Sequence, residues 1–321
     1  MPIDLKHLHA NGKINLFDYI RLRFFTKPKH RDPKCARLLE DKECVKIYTS
    51  VEENNFGDVL NYNLLEHFKK SYIRSYAKDA NSLIIGSVLD RLYINKHLKP
   101  NMFKSITILG SGFISDFSSY VKAKSHTKQE FARQLNILGV RGKITQKRLE
   151  EELNLNLSNI VLGDPGLLAN RLIDAEKIKK TCDVGIVPHY KDKKSETLEN
   201  IKLHRYSSKI IDISGGVQET LKEIASCKVI VSSAMHGLIC ADSFNIPNRR
   251  MVISENIFGG DYKFHDYYSI YDIKNPKKID LRSQVLTDEY IDEIIKEYEV
   301  PQTKVKEVCE KLAKAYEKIL D

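Results

Sequence analysis

The stretch from Lys228 to Pro247, KVIVSSAMHGLICADSFNIP, decides the fold because it predicts a buried strand that passes directly into a helix. The β-branched run 229–231 is typical of a strand covered on both faces. The apolar residues that follow recur at helical spacing, and this pattern ends at Asn245. Such a join, between the carboxyl end of a strand and the first turn of a helix, is where α/β proteins place their chemistry.

Ser232, Ser233 and His236 lie at this join, where the free N–H groups of a helix's first turn favour an anion. We therefore predict that the two serines bind substrate and that His236 acts on it. The same residues also fit a second interpretation. In that interpretation the serines only cap the helix, and His236 is a buried histidine with satisfied hydrogen bonds.

Length and composition limit the classes of protein that this chain can be. It has 321 residues, which is enough for two α/β halves with separate cores. Hydrophobic residues make up 42% and charged residues 30%, a balance that excludes a disordered chain, and no apolar run is long enough to cross a bilayer. The formal charge of +9 favours anionic partners such as phosphorylated substrates or acidic lipids. We expect no nucleic-acid partner, because the basic residues are spread along the chain without a recognised binding signature.

Cysteine usage and the amino-terminal residues predict the compartment. The six cysteines show neither paired metal-ligand spacing nor a disulfide framework, so we expect reduced thiols and no metal site. The first residues lack the pattern of a secretory signal, and we therefore expect a cytoplasmic protein. The basic and apolar stretch 19–31 has two interpretations: peripheral contact with the inner face of a membrane, or a helix packed on the first domain.

Strand candidates alternate with helix candidates along the chain, which predicts mostly parallel sheets with right-handed crossovers. The strand candidates are 45–49, 82–85, 105–109, 136–140, 183–187, 209–213, 228–231 and 250–253. The helix candidates are 58–70, 145–153, 217–226 and two between 287 and 319. We place a domain boundary in the polar stretch 169–181, which predicts an amino-terminal domain of residues 1–175 and a carboxyl-terminal domain of residues 176–321.

Five further short motifs occur in order along the chain: NNFGD at 54–58, LGSGF at 109–113, GVRGK at 139–143, GDPGL at 163–167 and VPHY at 187–190. Together with 228–247, their order and spacing resemble the polysaccharide pyruvyl transferase family over roughly residues 45–270. The resemblance implies a glycosyltransferase-B-like layout, in which two Rossmann-like α/β domains with mostly parallel sheets face a cleft. The acceptor would bind on the amino-terminal side and the donor on the carboxyl-terminal side.

The resemblance also implies an activity. Such an enzyme moves the pyruvyl group of phosphoenolpyruvate onto a sugar of a surface-polysaccharide or lipid-linked glycan precursor, forms a pyruvate ketal and releases phosphate. Phosphoenolpyruvate is the donor substrate, and we expect no further cofactor. Because this donor carries a carboxylate and a phosphate, its site needs at least two cationic groups and an acid.

The resemblance assigns the donor to Arg141, whose planar guanidinium suits two-point contact with an anion, and to Lys263. We expect Lys263 to lie in a loop that Gly259 and Gly260 allow to close over the ligand. His236 would supply a proton or bind phosphate as imidazolium. The alternatives are a surface salt bridge for Arg141 and an incidental position in a flexible surface loop for Lys263.

Asn55, Gly57 and Asp58 open the first predicted helix and are candidates for acceptor binding. Asp58 would serve as the base for the acceptor hydroxyl, as a helix cap, or as both. Further predicted substrate-binding residues lie in turns and loops that follow strands: Ser111, Gly112, Asp164 and His189. A local role in the turn is the alternative for Asp164, and a capped loop histidine is the alternative for His189.

The chain departs from the family's pattern at Ala234, where an arginine is common, and at Met235, where a leucine is common. The missing arginine removes a cation near the predicted site, so either Arg141 and Lys263 bind the donor alone or the substrates differ. Two alternative functions therefore remain. One is a nucleotide-sugar-dependent glycosyltransferase of the same architecture, and the other is a non-catalytic glycan-binding descendant. The candidate ribose contacts for the first are Asp212 and Glu219.

Overall fold

The computed structural model describes residues 41–49, 55–75, 79–94, 105–116, 134–257 and 259–320. The predicted membrane-contact stretch 19–31 lies outside these ranges. Within them, no helix combines the length and the apolar character that a membrane-spanning segment needs.

The first sheet is built from five short strands near the start of the described chain. They are β1 Val45–Tyr48, β2 Tyr72–Ser75, β3 Ser82–Leu83, β4 Ile106–Ile108 and β5 Leu135–Ile137. Their order is β2-β1-β3-β4-β5, and every pair is parallel. Helix α1, Phe56–His67, follows β1, and helix α2, Asp90–Ile94, follows β3.

A small two-stranded parallel sheet comes next. It pairs β6, Gly139–Val140, with β7, Val161–Leu162, and helix α3, Lys143–Leu153, lies between them. The single strand predicted over 136–140 is therefore divided between β5 and β6. The division occurs at Leu138, whose N–H bonds to the carbonyl of Ile108 in β4, while its own carbonyl accepts from the N–H of Val161 in β7.

The second sheet occupies the later part of the chain. Its strands are β8 Cys182–Val187, β9 Ser208–Ile210, β10 Cys227–Ser232, β11 Asn248–Val252 and β12 Lys278–Asp280. Their order is β12-β11-β10-β8-β9, again with every pair parallel, so the prediction of mostly parallel sheets is confirmed. The associated helices are α4 Val217–Ala225, α5 Met235–Ser243, α6 Tyr262–Tyr268, α7 Asp288–Lys296 and α8 Gln302–Glu317.

Two predicted boundaries are wrong in ways that matter for function. Helix α1 begins two residues before the predicted start at Asp58, because the Asn55 side chain caps it by accepting the N–H of Gly57 at 3.2 Å. Asp58 therefore lies in the first turn and is not the cap. Lys263 was expected in a loop, but it lies in the first turn of α6.

The largest buried cluster contains side chains from both sheets and from α8. Val45 and Ile47 of β1 belong to it together with Ile230 of β10 and Leu312 of α8. Each such buried aliphatic side chain contributes roughly 1.5–3 kcal/mol of transfer free energy. This shared core holds the strands of the two sheets together, while the predicted boundary at residues 175 and 176 stays a prediction.

Helix α8 packs against elements that come much earlier in the chain. The ring of Tyr316 stacks on Phe68, next to the end of α1, with 4.7 Å between ring centroids. The Cys309 thiol lies 3.3 Å from the carbonyl oxygen of Leu167, in the 3₁₀ helix Pro165–Arg171. A Cβ atom on Gly163 would approach Val308 to 2.4 Å, so only glycine lets α8 come this close.

Candidate functional site

A cavity of about 280 Å³ opens at the carboxyl ends of strands from both sheets. Its walls come from the segments that follow β1, β3 and β4 in the first sheet and β8 to β11 in the second. The predicted site residues that line it are Asn55, Asp58, His189, His236 and Lys263. Three residues that the sequence did not suggest line it as well: Arg91, Tyr190 and Lys191.

Lys263 is a cation for which the described residues supply no counter-ion. Its side chain is half-buried, its Nζ lies 5.4 Å from the centroid of the Phe264 ring, and it makes no hydrogen bond or ion pair with any described residue. Burial, followed by the nearby charges of Arg141 and Arg250, lowers the pKa of Lys263 to about 7. The ammonium is therefore poised to lose its proton near neutral pH, and an anion in the cavity would restore its charge.

Two glycines bring α6 to this position. Gly259 and Gly260 precede the helix with φ values of +89° and +51°, a region that favours glycine. A Cβ atom on Gly259 would lie 2.0 Å from the carbonyl oxygen of Ile114, which follows β4. Only glycine therefore lets the segment before Lys263 contact the first sheet's loop.

His236 lies in the first turn of α5 and lines the cavity. A Cβ atom on Gly57 would fall 2.2 Å from the imidazole, so the ring lies directly against the backbone of α1. Burial, followed by the charges of Lys263 and Arg141, lowers the pKa of His236 to about 3. The ring is therefore neutral at physiological pH until a ligand changes its surroundings.

The two nitrogens of His236 differ in their surroundings. Nε2 is enclosed and has no hydrogen-bond partner in the described part of the chain. Its nearest acidic neighbour is Asp164, whose Oδ2 atom lies 3.8 Å away. The interpretation of His236 as a buried histidine with satisfied hydrogen bonds is therefore wrong, because Nε2 is unsatisfied.

Ser232 and Ser233 lie behind the cavity wall rather than on it. The Ser232 hydroxyl accepts the N–H of Ala234 at 3.1 Å and lies 2.9 Å from the carbonyl oxygen of Val187. The Ser233 hydroxyl accepts the N–H of His189 at 2.8 Å and donates to Asp192 at 3.1 Å. Neither serine caps α5, because its N-cap is Ala234 and no described side chain makes a capping hydrogen bond to it. Ala234 itself lines the cavity.

His189 stands beside His236 on the same wall. Its ring packs against Tyr190, with 4.4 Å between centroids. Burial, followed by the charges of Lys263 and Lys191, lowers the pKa of His189 to about 4. Both histidines of the cavity are therefore neutral, and the positive charge comes from lysine and arginine side chains.

Arg141 is fully buried beneath this site. Its Nε donates to Asp266 at 2.9 Å, and its two terminal nitrogens donate to the Ser87 hydroxyl and to the carbonyl oxygen of Phe113, each at 2.6 Å. The alternative of a surface salt bridge is wrong, because both members of the ion pair are enclosed. Arg141 thus joins the loop after β4 to α6, with its guanidinium aimed at protein groups.

The glycines around Arg141 explain its sequence motif. A Cβ atom on Gly112 would lie 2.3 Å from the guanidinium carbon, and one on Gly142 would lie 1.8 Å from the carbonyl oxygen of Asp266. The space next to Gly142 is filled by α6. Asp266 also accepts the N–H and the hydroxyl of Thr145, at 2.8 and 2.7 Å.

Asp164 and Ser111 are buried in turns that support the site. Asp164 caps the 3₁₀ helix Pro165–Arg171, and its Oδ1 atom accepts the N–H of Gly166 at 2.8 Å. Burial raises the pKa of Asp164 to about 6. The Ser111 hydroxyl donates to the carbonyl oxygen of Ile84 at 2.8 Å. The predicted local role of Asp164 in its turn is thus observed, together with its contact to His236.

Three polar residues support the site without having been predicted from the sequence. Asp266 pairs with Arg141, and Asp192 accepts from Ser233 and from Ser254. Asn61 accepts the N–H of Ile85 at 2.9 Å and thereby ties α1 to the segment after β3. The sequence did contain a signal for Asp266. It is an acidic residue one helical turn after Lys263, within a run of residues that are mostly aromatic.

The candidate ribose contacts lie away from the cavity wall. Asp212 forms an ion pair with Lys193 and accepts the N–H of Ser214 at 2.7 Å. Glu219 lies in the first turn of α4. In the described ranges, no three or more His, Cys, Asp or Glu side chains are grouped to hold a metal ion.

Comparison with known proteins adds a family and several relatives. The family model for polysaccharide pyruvyl transferase matches residues 51–256. Protein L143 of Acanthamoeba polyphaga mimivirus is 30% identical over 238 residues, which cover 66% of this chain and 78% of L143. The succinoglycan biosynthesis protein ExoV of Rhizobium meliloti (strain 1021) is 23% identical over 224 residues, which cover 68% of this chain and 62% of ExoV.

Solved structures resemble the chain only distantly. A protein of Klebsiella pneumoniae subsp. pneumoniae NTUH-K2044 gives a TM-score of 0.44 at 14% identity, covering 76% of this chain and 96% of its own. The wall teichoic acid polymerase TagF also gives 0.44, at 10% identity, covering 99% of this chain and 97% of its own.

Proposed function

Because this chain is a transferase that belongs to the polysaccharide pyruvyl transferase family, we propose that it moves the pyruvyl group of phosphoenolpyruvate onto a sugar of a polysaccharide or lipid-linked glycan precursor. The observation that supports this donor most directly is Lys263. It is a half-buried cation on the cavity wall with no anionic partner among the described residues. An enclosed cation without a counter-charge is costly, and a carboxylate or phosphate would offset that cost.

The charge of the cavity suits such a donor. Among the described residues that line it, Arg91, Lys191 and Lys263 carry positive charge and only Asp58 carries a carboxylate. The uncapped first turn of α5 adds N–H groups and the positive end of a helix dipole. Lys191 and Lys263 come from the second sheet's side of the cavity, as Ala234 does, so they can supply positive charge on the side where the family commonly has an arginine.

The reaction balances without an oxidant or reductant. A proton adds to the methylene carbon of phosphoenolpyruvate, and one acceptor hydroxyl adds to the central carbon. A second hydroxyl then attacks the same carbon, and the bond between that carbon and the phosphate oxygen breaks. Two carbon–oxygen bonds form, the carbon–carbon double bond becomes single, and the two hydroxyl protons end on the new methyl group and on the released phosphate.

We assign the proton transfers to two residues of the cavity. His236 is neutral before the donor binds, and a phosphate dianion beside it raises its pKa, so the donor charges the acid that protonates its own methylene carbon. Asp58 takes the proton of the acceptor hydroxyl from the opposite sheet's side of the cavity. Arg141 holds α6, and with it Lys263, in place through Asp266.

Binding of the donor tests this proposal. We expect phosphoenolpyruvate at a hundred times its dissociation constant to raise the free energy of unfolding by about 2.7 kcal/mol. The gain should fall in Lys263→Met and stay unchanged in Lys296→Met, a matched control on the exposed face of α7. Phosphate release with a sugar acceptor should then disappear in His236→Gln. Stabilisation by a nucleotide sugar, with none by phosphoenolpyruvate, would contradict the proposal.

A further inference from the structure

We propose that Asp164 is a positioning residue that fixes the tautomer of His236, so that Nε2 carries the proton and Nδ1 presents its lone pair to the cavity. The geometry concerns the free protein, while its use in proton transfer rests on the proposed function of His236. Asp164 does not line the cavity, so it acts on the reaction only through this ring.

The surroundings of the ring leave one partner for Nε2. This nitrogen is enclosed without a hydrogen bond in the described part of the chain, and Oδ2 of Asp164 lies 3.8 Å from it. Asp164 is itself only 1% exposed, and its other oxygen is occupied by the N–H of Gly166. The distance exceeds a hydrogen bond, but catalytic hydrogen bonds often shorten when the ligand binds.

Two glycines hold the ring in this orientation. A Cβ atom on Gly57 would lie 2.3 Å from Nδ1, and one on Gly166 would lie 3.4 Å from Cδ2. The imidazole is thus packed between the first turn of α1 and the 3₁₀ helix that Asp164 caps. Because the ring has little room to turn, what remains to be fixed is which of its two nitrogens carries the proton.

Electrostatics decides that position. A lone pair on Nε2 would be repelled by the Asp164 carboxylate 3.8 Å away, whereas an N–H there is attracted to it and forms a charge-assisted hydrogen bond once the two atoms approach to hydrogen-bond distance. Lys263, Arg141 and His189 also act on the ring, and they disfavour its positive charge. The carboxylate therefore favours the Nε2–H tautomer and stabilises the imidazolium when it forms.

This tautomer determines which atom transfers the proton. With Nε2–H directed at Asp164, Nδ1 is the nitrogen that gains the proton when the donor binds and passes it to the methylene carbon. His236 is then restored to the same neutral tautomer, ready for the next turnover. The opposite tautomer would place a fixed N–H at Nδ1 and require the enclosed Nε2 to take up the proton.

Long-range ¹H–¹⁵N NMR of the imidazole groups in the free protein tests the inference. The His236 signals are identified by their loss in His236→Gln, and we expect the pattern of an Nε2–H ring. In Asp164→Asn the side-chain oxygen still caps Gly166, so the amide NH₂ faces Nε2 and donates to it. The signals should therefore change to the Nδ1–H pattern. An Nδ1–H ring in the wild type, or an unchanged ring in Asp164→Asn, would overturn the inference.

Matched controls separate positioning from folding. Asp192→Asn alters another buried aspartate that does not contact His236, and it should leave the tautomer unchanged. The wild-type spectrum alone decides the question should Asp164→Asn not fold. In turnover we expect Asp164→Asn to lower kcat by about 10²–10⁴-fold with little change in KM for phosphoenolpyruvate. An Nε2–H ring in a protein that neither binds nor consumes phosphoenolpyruvate would sink the proposed function and leave the tautomer assignment standing.

Discussion

Arg141 is fully buried and Lys263 is half-buried, and both cations lie next to the same cavity. They differ in the partners that the protein gives them. Every nitrogen of the Arg141 guanidinium donates to a protein group, and the Asp266 carboxylate balances its charge. Lys263 lies three residues before Asp266 on the same helix, yet it contacts no anion among the described residues. The charge of Arg141 is used by the fold, whereas we propose that the charge of Lys263 binds a ligand.

The difference distinguishes two kinds of charged residue that look alike in a sequence. A buried cation with complete hydrogen bonding stabilises the structure only as part of its pair. A cation without partners lowers stability, and this cost makes it a candidate for binding an anion.

Removal of Arg141 should damage the fold. Arg141→Met leaves Asp266 buried without its partner, and we expect a loss of about 3–5 kcal/mol in the free energy of unfolding. Urea unfolding measures this loss, and Arg205→Met, at an exposed ion pair, should change stability far less. A stable Arg141→Met variant that fails only to bind phosphoenolpyruvate would reverse our description of this residue.

Removal of Lys263 should damage binding and spare the fold. Lys263→Met deletes a charge-assisted contact, so we expect the affinity for phosphoenolpyruvate to fall about 10- to 100-fold. Because the variant also removes an enclosed cation without a partner, its free energy of unfolding should stay the same or rise. Calorimetric titration measures the affinity, and thermal unfolding measures the stability. Equal free-energy losses in both would mean that Lys263 stabilises the fold as Arg141 does.

Two glycines, one next to Arg141 and one next to His236, give a smaller contrast of the same kind. Gly112→Ala places a methyl group against a guanidinium that three hydrogen bonds hold still, and we expect a loss of about 1–3 kcal/mol in stability. Gly57→Ala meets the His236 imidazole, whose Nε2 makes no hydrogen bond with a described residue, so the ring shifts at a smaller cost than the Arg141 guanidinium. The greater helix propensity of alanine, up to about 1 kcal/mol, offsets part of that cost, so we expect a smaller loss of stability than in Gly112→Ala, together with a fall in turnover. Urea unfolding and phosphate release distinguish the two, and equal stability losses would remove the contrast.

Proton uptake provides the finest test of Lys263. Its pKa is about 7 in the folded chain, so at pH 8 most of the side chain is neutral, and an anion that raises this pKa must bring in up to about one proton. Calorimetry of phosphoenolpyruvate binding in buffers of different ionisation enthalpy measures this uptake, which Lys263→Met should abolish. Uptake that persists in the variant would place the titrating group elsewhere.

The same pKa fixes how stability depends on pH. An unfolded lysine titrates at about 10.4, so between about pH 7 and that value the unfolded chain binds more protons than the folded one. Stability attributable to Lys263 therefore rises with pH across this window. The unfolding free energy of the wild type minus that of Lys263→Met should therefore increase with pH across this window. A difference that does not change with pH would show that the side chain is well solvated.

The sequence allowed the strand-to-helix join of β10 and α5 to be predicted, because β-branched and helical patterns there are local and strong. It also led to His236 and Lys263, which the fold brings to one cavity. Edge strands such as β2 and β12 were not predicted, since three or four residues carry too little pattern for a strand assignment. The sequence thus allowed predictions where the chemistry is local or the pattern repeats, but not where strands of three or four residues pair.

The partners of the site were the least accessible to sequence reasoning. Arg141 meets Asp266 across 125 residues of chain, and no spacing rule connects two such distant positions. Asp164 looked like a turn residue, and it is one, but its second oxygen faces a histidine 72 residues later. Ser232 and Ser233 looked like ligands because they follow a strand, although their hydroxyls hold neighbouring backbone instead.

The position of helix α8 has a consequence for synthesis on the ribosome. Its side chains complete the packing around Phe68 and Leu167, which are translated long before it. A nascent chain that has released the first sheet therefore exposes an apolar surface until α8 emerges. We expect that surface to make the partly synthesised protein dependent on chaperones, and slow codons placed ahead of residue 302 should lower the yield of folded product more than slow codons placed after it.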